Sequence, residues 1–293
     1  MKHLLLTGVS GFLGWNVGRA RPDGWRITGV AGAHPVEVPG VTVRRCDLTR
    51  YADLKELFRE VRPDAVLHAA ALSDPNRCQQ EPELSRRVNL EASVTLAGLC
   101  GDAGIPCVFT STDLVFDGQQ APYAEDAAPC PVNRYGEHKM LAEIAMRERG
   151  PRLCVCRLPL MYGNPGPVAK SFLQPLAAAL RAGRPAKLFT DEFRTPADAR
   201  DVAVGLFLAL DALPPLLHLG GPERLSRFEF GRLVAELVGA ERTLVQGCRQ
   251  TEVPMAAARP PDVALDSRRA FALGYAPAAP KAALPRLLKD APA

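Results

Sequence analysis

Met1-Lys2-His3-Leu4-Leu5-Leu6-Thr7-Gly8-Val9-Ser10-Gly11-Phe12-Leu13-Gly14 opens the chain and decides how the rest of it folds. The apolar run 3–6 is too short for a helix and suits a buried strand. It breaks into a turn with glycine at every third position, Gly8, Gly11 and Gly14, and a helical pattern follows at once. Strand, glycine turn and helix together describe a phosphate-binding unit. Glycines let an anion approach the main chain, and the free N–H groups at the helix start face it. The spacing is Gly-x-x-Gly-x-x-Gly rather than the Gly-x-Gly-x-x-Gly of the standard dinucleotide fingerprint.

Composition narrows the class. A chain of 293 residues with 47% hydrophobic and 23% charged residues can bury a full globular core. A net charge of +4 without a Lys/Arg block points away from a nucleic-acid groove or a membrane surface. The eight cysteines form no C-x-x-C pair and have no histidine at ligand spacing. Cys107, Cys154 and Cys156 fall inside strand candidates, where a thiol packs as a small hydrophobe. A reduced, metal-free, cytoplasmic protein is expected. The first strand leaves no room for a signal peptide, and no apolar run reaches membrane-spanning length.

Strands are expected at 25–31, 41–43, 65–71, 107–111 and 153–158. Helices are expected at 12–20, 51–61, 81–100 and 132–149, the third ended by Gly101 and Gly104. Asp47 or Thr49 would cap the second helix. This alternation means an α/β fold with a doubly wound parallel sheet of Rossmann type. It would occupy residues 1–162. Residues 163–293 would form a smaller C-terminal substrate lobe, with some segments returning to the sheet. Helices at 170–182, 201–210 and 227–238 and strands at 187–189 and 216–219 fall there, and the stretch after Tyr275 reads as an Ala/Pro-rich tail. At the end of the second strand, where the fingerprint asks for an acid to hold ribose hydroxyls, stands Gly32-Ala33-His34. With no carboxylate to repel a 2′-phosphate and with His34, Arg44 and Arg45 nearby, NADP(H) is favoured and NAD(H) is the alternative.

Tyr135-Gly136-Glu137-His138-Lys139 falls near a helix start, so Tyr135 and Lys139 share a face one turn apart. A phenol titrates about three units above neutral pH, and an ammonium beside it favours the phenolate. Tyr135 could then exchange a proton with a carbonyl or hydroxyl oxygen. Ser111 and Thr112 end the fifth strand, where doubly wound sheets bind ligands, and can hold the same oxygen.

These motifs resemble the extended short-chain dehydrogenase/reductases. Finer stretches resemble the dTDP-4-dehydrorhamnose reductase branch: His68-Ala69-Ala70-Ala71, Val88-Asn89, Ser111-Thr112-Asp113-Leu114-Val115-Phe116-Asp117-Gly118, Arg157-Leu158-Pro159-Leu160-Met161-Tyr162-Gly163 and Arg259-Pro260-Pro261-Asp262. The resemblance spans nearly the whole chain. It implies reduction of a 4-keto sugar nucleotide, a small-molecule substrate, with hydride passing from the nicotinamide while Tyr135 protonates the oxygen. Thr112, or its neighbour Ser111, would hydrogen-bond that oxygen, and Lys139 would bind the nicotinamide ribose and lower the Tyr135 pKa. By the same resemblance Gly8, Gly11, Phe12, Leu13 and Gly14 hold the pyrophosphate and Asp47 and Leu48 flank the adenine. Ala69, Ala70 and Ala71 pass the nicotinamide ribose, and Asn89 and Pro159 complete the cofactor set. Asp113 and Arg194 are substrate candidates, Arg194 toward a diphosphate. Dimers are common in the family, so a homodimer is the assembly to test.

The chain is also similar to the regulatory β subunit of methionine adenosyltransferase, which binds the dinucleotide and a protein partner. A nucleotide-binding regulatory subunit is therefore the alternative to a reductase. An epimerase or dehydratase is disfavoured, because Asp113 is followed by Leu114 and not by Glu. Among the histidines, His68 and His218 read as packed residues and His138 as exposed.

Overall fold

The computed structural model describes residues 1–150 and 152–289. The opening stretch forms β1 (Lys2–Thr7) and α1 (Phe12–Arg19), followed by β2 (Trp25–Ala31), β3 (Val41–Arg45), α2 (Tyr51–Val61) and β4 (Ala65–His68). Next come α3 (Pro75–Gln80), α4 (Pro82–Arg86), a π-helical turn (Arg87–Glu91), α5 (Ala92–Ala103), β5 (Cys107–Thr112), α6 (Arg134–Arg149) and β6 (Leu153–Leu158). The remainder holds β7 (Met161–Tyr162), α7 (Leu173–Arg181), β8 (Ala186–Phe189), β9 (Phe193–Arg194), β10 (Ala197–Asp198), α8 (Ala199–Ala212) and β11 (Leu216–His218). It ends with β12 (Leu225–Ser226), α9 (Arg227–Leu237), β13 (Val245–Cys248), α10 (Arg268–Ala272) and α11 (Pro280–Lys289).

Seven strands make one sheet in the order β11-β6-β5-β4-β1-β2-β3, every pair parallel. The order reverses between β1 and β4, and a crevice opens there beyond the carboxyl ends of the strands. Buried residues such as Leu4, Leu6, Val108 and Cys154 pack one sheet face against α1 and α8. Leu5, Val66, Phe109 and Val155 pack the other against α2, α5 and α6. Strands buried on both faces are why the apolar runs lack alternation. A separate core of Leu173, Leu176, Phe230, Val234, Leu284 and Leu288 holds α7, α9 and α11 together.

Several expectations are corrected. The helix expected at 81–100 is two α-helical pieces around a π turn, and it ends at Gly104, whose φ of 65° stops it, not at Gly101. Neither Asp47 nor Thr49 caps α2: Arg50 stands at its N-cap without a side-chain bond, and Asp47 Oδ1 instead accepts from the Thr49 N–H and hydroxyl. Helix α6 begins after the extended Asn133, whose side chain accepts from Gly136 N at 3.0 Å, so Val132 lies outside it. The Ala/Pro-rich tail contains α11, which buries Ala283, Leu284, Leu287 and Leu288 on one face. Residues 290–293 of that tail lie outside the described residues. Strand β11 joins the main sheet beside β6, so part of the second half of the chain completes the first.

Candidate active site

The crevice at the switch point is a cleft of about 780 Å³. Gly8, Gly11, Phe12, Leu13 and Gly14 form its floor under the start of α1. Gly14 has no substitute there, because a Cβ would stand 2.1 Å from the Gly8 carbonyl oxygen. Asp47, Leu48, Arg45 and His34 line one end of the cleft, and no carboxylate stands at the end of β2. Ala69, Ala70 and Ala71 form a ledge along the middle, with Pro159 opposite. This ledge is held from beneath by polar bonds. Ala70 N donates to Thr7 Oγ1 at 3.2 Å, and Thr7 Oγ1 meets His68 Nδ1 at 2.6 Å. His68 Nε2 meets Ser93 Oγ at 2.9 Å, and Ser93 in turn donates to the Asn89 carbonyl. Ser93 thereby accepts from Nε2–H, which makes Nδ1 the acceptor for Thr7. Burial, reinforced by Lys139, pushes the His68 imidazole down to about 3 and keeps it neutral for this role.

Asn89 does not reach the cleft wall. It is fully buried in the π turn, where its amide accepts from Leu72 N and donates to Leu72 O. Its part is to fix the backbone just past the alanine ledge.

The far end of the cleft carries the hydroxyls. Ser111, Thr112 and Tyr135 all line it. Thr112 Oγ1 accepts from Leu114 N at 3.2 Å and donates to Asp113 Oδ1 at 3.3 Å, while Ser111 Oγ has no hydrogen-bond partner among the described residues. Gly136 lets α6 dock here: a Cβ would stand 2.0 Å from the Leu114 carbonyl oxygen. Burial raises the Tyr135 phenol well above its usual range, Cys78 and Asp113 add to this, and the Thr112 hydroxyl works against it. Lys139 lies one turn on, but it is off the cleft wall and only 1% exposed, its Nζ 3.8 Å above the Phe109 ring. Burial pushes its ammonium down to about 7, against Glu143 and Cys78. In this state burial, and not Lys139, governs the phenol. His138 is buried rather than exposed: its Nδ1 meets Ser85 Oγ at 2.8 Å.

Beyond Tyr135 and Thr112 lies a charged cluster. Arg194 is 4% exposed, its Nε 3.6 Å from Asp113 Oδ2 and its Nη2 3.4 Å from Glu192 Oε1. Burial raises the Asp113 carboxyl to about 6, although Arg194 pulls it down. Arg227, which no motif of the resemblance contains, and Arg259, which one contains but without an assigned role, both stand near Arg194; burial lowers both, Arg194 adds to this and Glu192 opposes it. Arg227 stacks on Phe172 at 4.2 Å, and Phe172 lines the cleft. The Nη1 atoms of Arg194, Arg227 and Arg259 are all buried without a partner among the described residues. Local sequence does not tie these arginines together; residues far apart in sequence become one cluster only in the fold.

Comparison with known proteins bears on the family and the fold. A family model described as the RmlD substrate binding domain matches residues 1–292. A probable low-salt glycan biosynthesis reductase of Haloferax volcanii is 33% identical over 271 residues, covering 90% of this chain and 89% of that protein. The methionine adenosyltransferase 2 subunit beta of Xenopus laevis is 27% identical over 245 residues, 80% of this chain and 72% of its own. A dTDP-4-dehydrorhamnose reductase of Burkholderia thailandensis is 31% identical over 208 residues, 71% of this chain and 65% of that one. Among solved structures, a hypothetical dTDP-4-dehydrorhamnose reductase of Sulfolobus tokodaii superposes with a TM-score of 0.83 at 28% identity, covering 93% of this chain and 94% of the other. A dTDP-4-dehydrorhamnose reductase of Bacillus anthracis in complex with NADP shares the fold at a TM-score of 0.85 and 21% identity, over 99% and 100% of the two chains.

Proposed function

Because the chain belongs to the RmlD substrate binding domain family, among the extended short-chain dehydrogenase/reductases, we propose that it reduces the 4-keto group of a nucleotide-activated deoxysugar, such as dTDP-4-dehydrorhamnose, with a nicotinamide dinucleotide. The observation that carries this reading is the meeting of the Thr112 and Tyr135 hydroxyls at one end of a glycine-floored cleft, beside three guanidinium groups with buried, unpartnered nitrogens. A diphosphate offers those nitrogens acceptors with bidentate geometry.

The cleft suits the dinucleotide. Gly8, Gly11 and Gly14 leave the backbone bare at the helix start for the pyrophosphate, and the absence of an acid at Gly32-Ala33-His34, with Arg45 on the wall, favours NADP(H) over NAD(H). When bound, the nicotinamide supplies the hydride for the carbonyl carbon. The protein supplies the proton. Its raised pKa keeps the Tyr135 phenol protonated at neutral pH, ready to donate to the carbonyl oxygen. Thr112 turns its hydroxyl from Asp113, a long bond at 3.3 Å, toward the same oxygen. Lys139, on the same helix face, stabilises the phenolate left behind until solvent restores its proton.

The experiment follows NADPH and NADH oxidation with a panel of 4-keto-6-deoxysugar nucleotides, with Tyr135→Phe alongside. Turnover lost in the variant supports the reading. The relationship to methionine adenosyltransferase 2 subunit beta favours a second reading, a dinucleotide-binding regulatory subunit. Tight dinucleotide binding without turnover of any sugar, together with a co-purifying protein partner, would favour it.

A further inference from the structure

Helix α6 carries a third buried polar residue on the face of Tyr135 and Lys139, and the proposed reaction leaves it unused. Tyr135, Lys139 and Glu143 recur at four-residue intervals and so stack one turn apart. Glu143 is 2% exposed and accepts three bonds from Arg157 at the end of β6: Nε at 3.1 and 3.3 Å, Nη2 at 2.8 Å. Arg157 is 3% exposed, its guanidinium 5.0 Å over the Phe116 ring. A guanidinium never gives up its proton in a protein, so a carboxylate gripped at both oxygens in low dielectric stays anionic.

Around the Lys139 ammonium the remaining groups carry no standing charge. His68, from β4, is held neutral by burial, and Phe109, from β5, offers its ring. Cys78, from α3, has its thiol pushed up by burial and is also neutral. Of the groups that act on Lys139, Glu143 is the anion, and its influence opposes the burial that drives the ammonium toward a neutral amine. On the reductase reading above, we propose that Glu143, locked as an anion by Arg157, is the positioning residue that holds Lys139 as an ammonium beneath Tyr135. Neither Glu143 nor Arg157 lines the cleft. Their effect reaches the reacting oxygen through Lys139 and then Tyr135.

The test uses two variants of the full chain. Glu143→Gln removes the anion but strands the Arg157 guanidinium; Glu143→Gln with Arg157→Met removes both charges, so no guanidinium is stranded and Lys139 alone must answer for the lost anion. Lys139 is titrated by NMR in protein labelled with ¹³C- and ¹⁵N-lysine, its resonance assigned by Lys139→Met. In the folded double variant its midpoint should fall by about 1 unit or more, and the alkaline fall of kcat should move to lower pH with it. A folded double variant whose Lys139 midpoint stays at the native value overturns the proposal, whatever its stability. The midpoint is read without substrate. A native protein that reduces no sugar nucleotide therefore counts against the reductase reading, while the titration still decides whether Glu143 sets the lysine's charge.

Discussion

A methyl group at Gly14 would test the cleft floor most sharply. The Cβ of Gly14→Ala would lie 2.1 Å from the Gly8 carbonyl oxygen, 2.7 Å from its carbon and 2.8 Å from Val9 Cα, all backbone atoms that no rotamer change can move. Ordinary van der Waals contact begins at 3.4 Å, so the glycine turn and α1 must part by on the order of 1 Å. Overpacking of this kind costs about 1–3 kcal/mol, which should lower the melting temperature by roughly 2–10 °C. The functional loss should be larger in proportion. A displacement near 1 Å of groups that must converge on one ligand can cost about 100-fold, so dinucleotide affinity should fall about 10- to 100-fold. Gly18→Ala, further along α1, is the control. Its Cβ meets the side-chain ends Val38 Cγ1 at 2.9 Å and Val41 Cγ2 at 3.3 Å, which can give way. Calorimetric titration of NADPH and NADH into the native protein and both variants decides the matter. Native affinity in a folded Gly14→Ala protein would refute the claim that this turn holds the pyrophosphate.

Other consequences are open to equally direct measurement. Arg227→Met should raise KM for a nucleotide sugar about 10-fold or more, since a charge-assisted bond is worth about 1.5–3 kcal/mol, while leaving dinucleotide affinity unchanged; an unaltered KM would remove Arg227 from the substrate site. Leu284→Ala should destabilise the protein by about 2–5 kcal/mol in denaturant unfolding, because Leu284 is fully buried in the core that α11 closes; a change within 0.5 kcal/mol, the range of about 0.5 expected of surface sites, would mean the helix is not packed there. His68 and His218 are both held down to about 3 by burial, so each is neutral when folded at pH values where the unfolded chain takes up a proton. Their contribution to stability is complete above the unfolded value of about 6.5 and is lost as pH falls toward 3; replacing either by Asn or Gln should flatten that part of the stability profile.

The fold was legible where local chemistry and tertiary demand agree. The first fourteen residues announced strand, turn and helix, and β2, α2 and β6 begin and end where their apolar patterns do. The pattern failed where side chains at a distance override it. The helix expected at 81–100 passes through a π turn, around which Ser85, Asn89 and Ser93 each hydrogen-bond a partner on another segment, His138, Leu72 and His68. The stretch after Tyr275 read only as an Ala/Pro-rich tail because Pro285 and the alanines mask a stripe of Ala283, Leu284, Leu287 and Leu288. His138 read as exposed because its place off the Tyr135–Lys139 face said nothing of α4 lying against that side.

The site divides the same way. Thr112 and Tyr135 could be named because a hydroxyl at a strand end and a Tyr-x-x-x-Lys on a helix face are local signals. Arg194 gave a weak signal, Arg259 only its place in a family-like stretch, and Arg227 none, because their significance lies in convergence and in guanidinium nitrogens that burial leaves without partners among the described residues. The pairing of Glu143 with Arg157 was hidden similarly, the two being 14 positions apart in the chain and joined across helix and sheet.

The central claim, that Tyr135 protonates a ketone held in this cleft, is tested most directly by single-turnover reduction of a 4-keto-6-deoxysugar nucleotide with saturating NADPH, native protein against Tyr135→Phe. A native reaction slowed at least 100-fold in the variant, with NADPH affinity unchanged, is the expected result, since a positioned proton donor contributes about 10²- to 10⁴-fold. Equal rates in the two proteins would contradict the account.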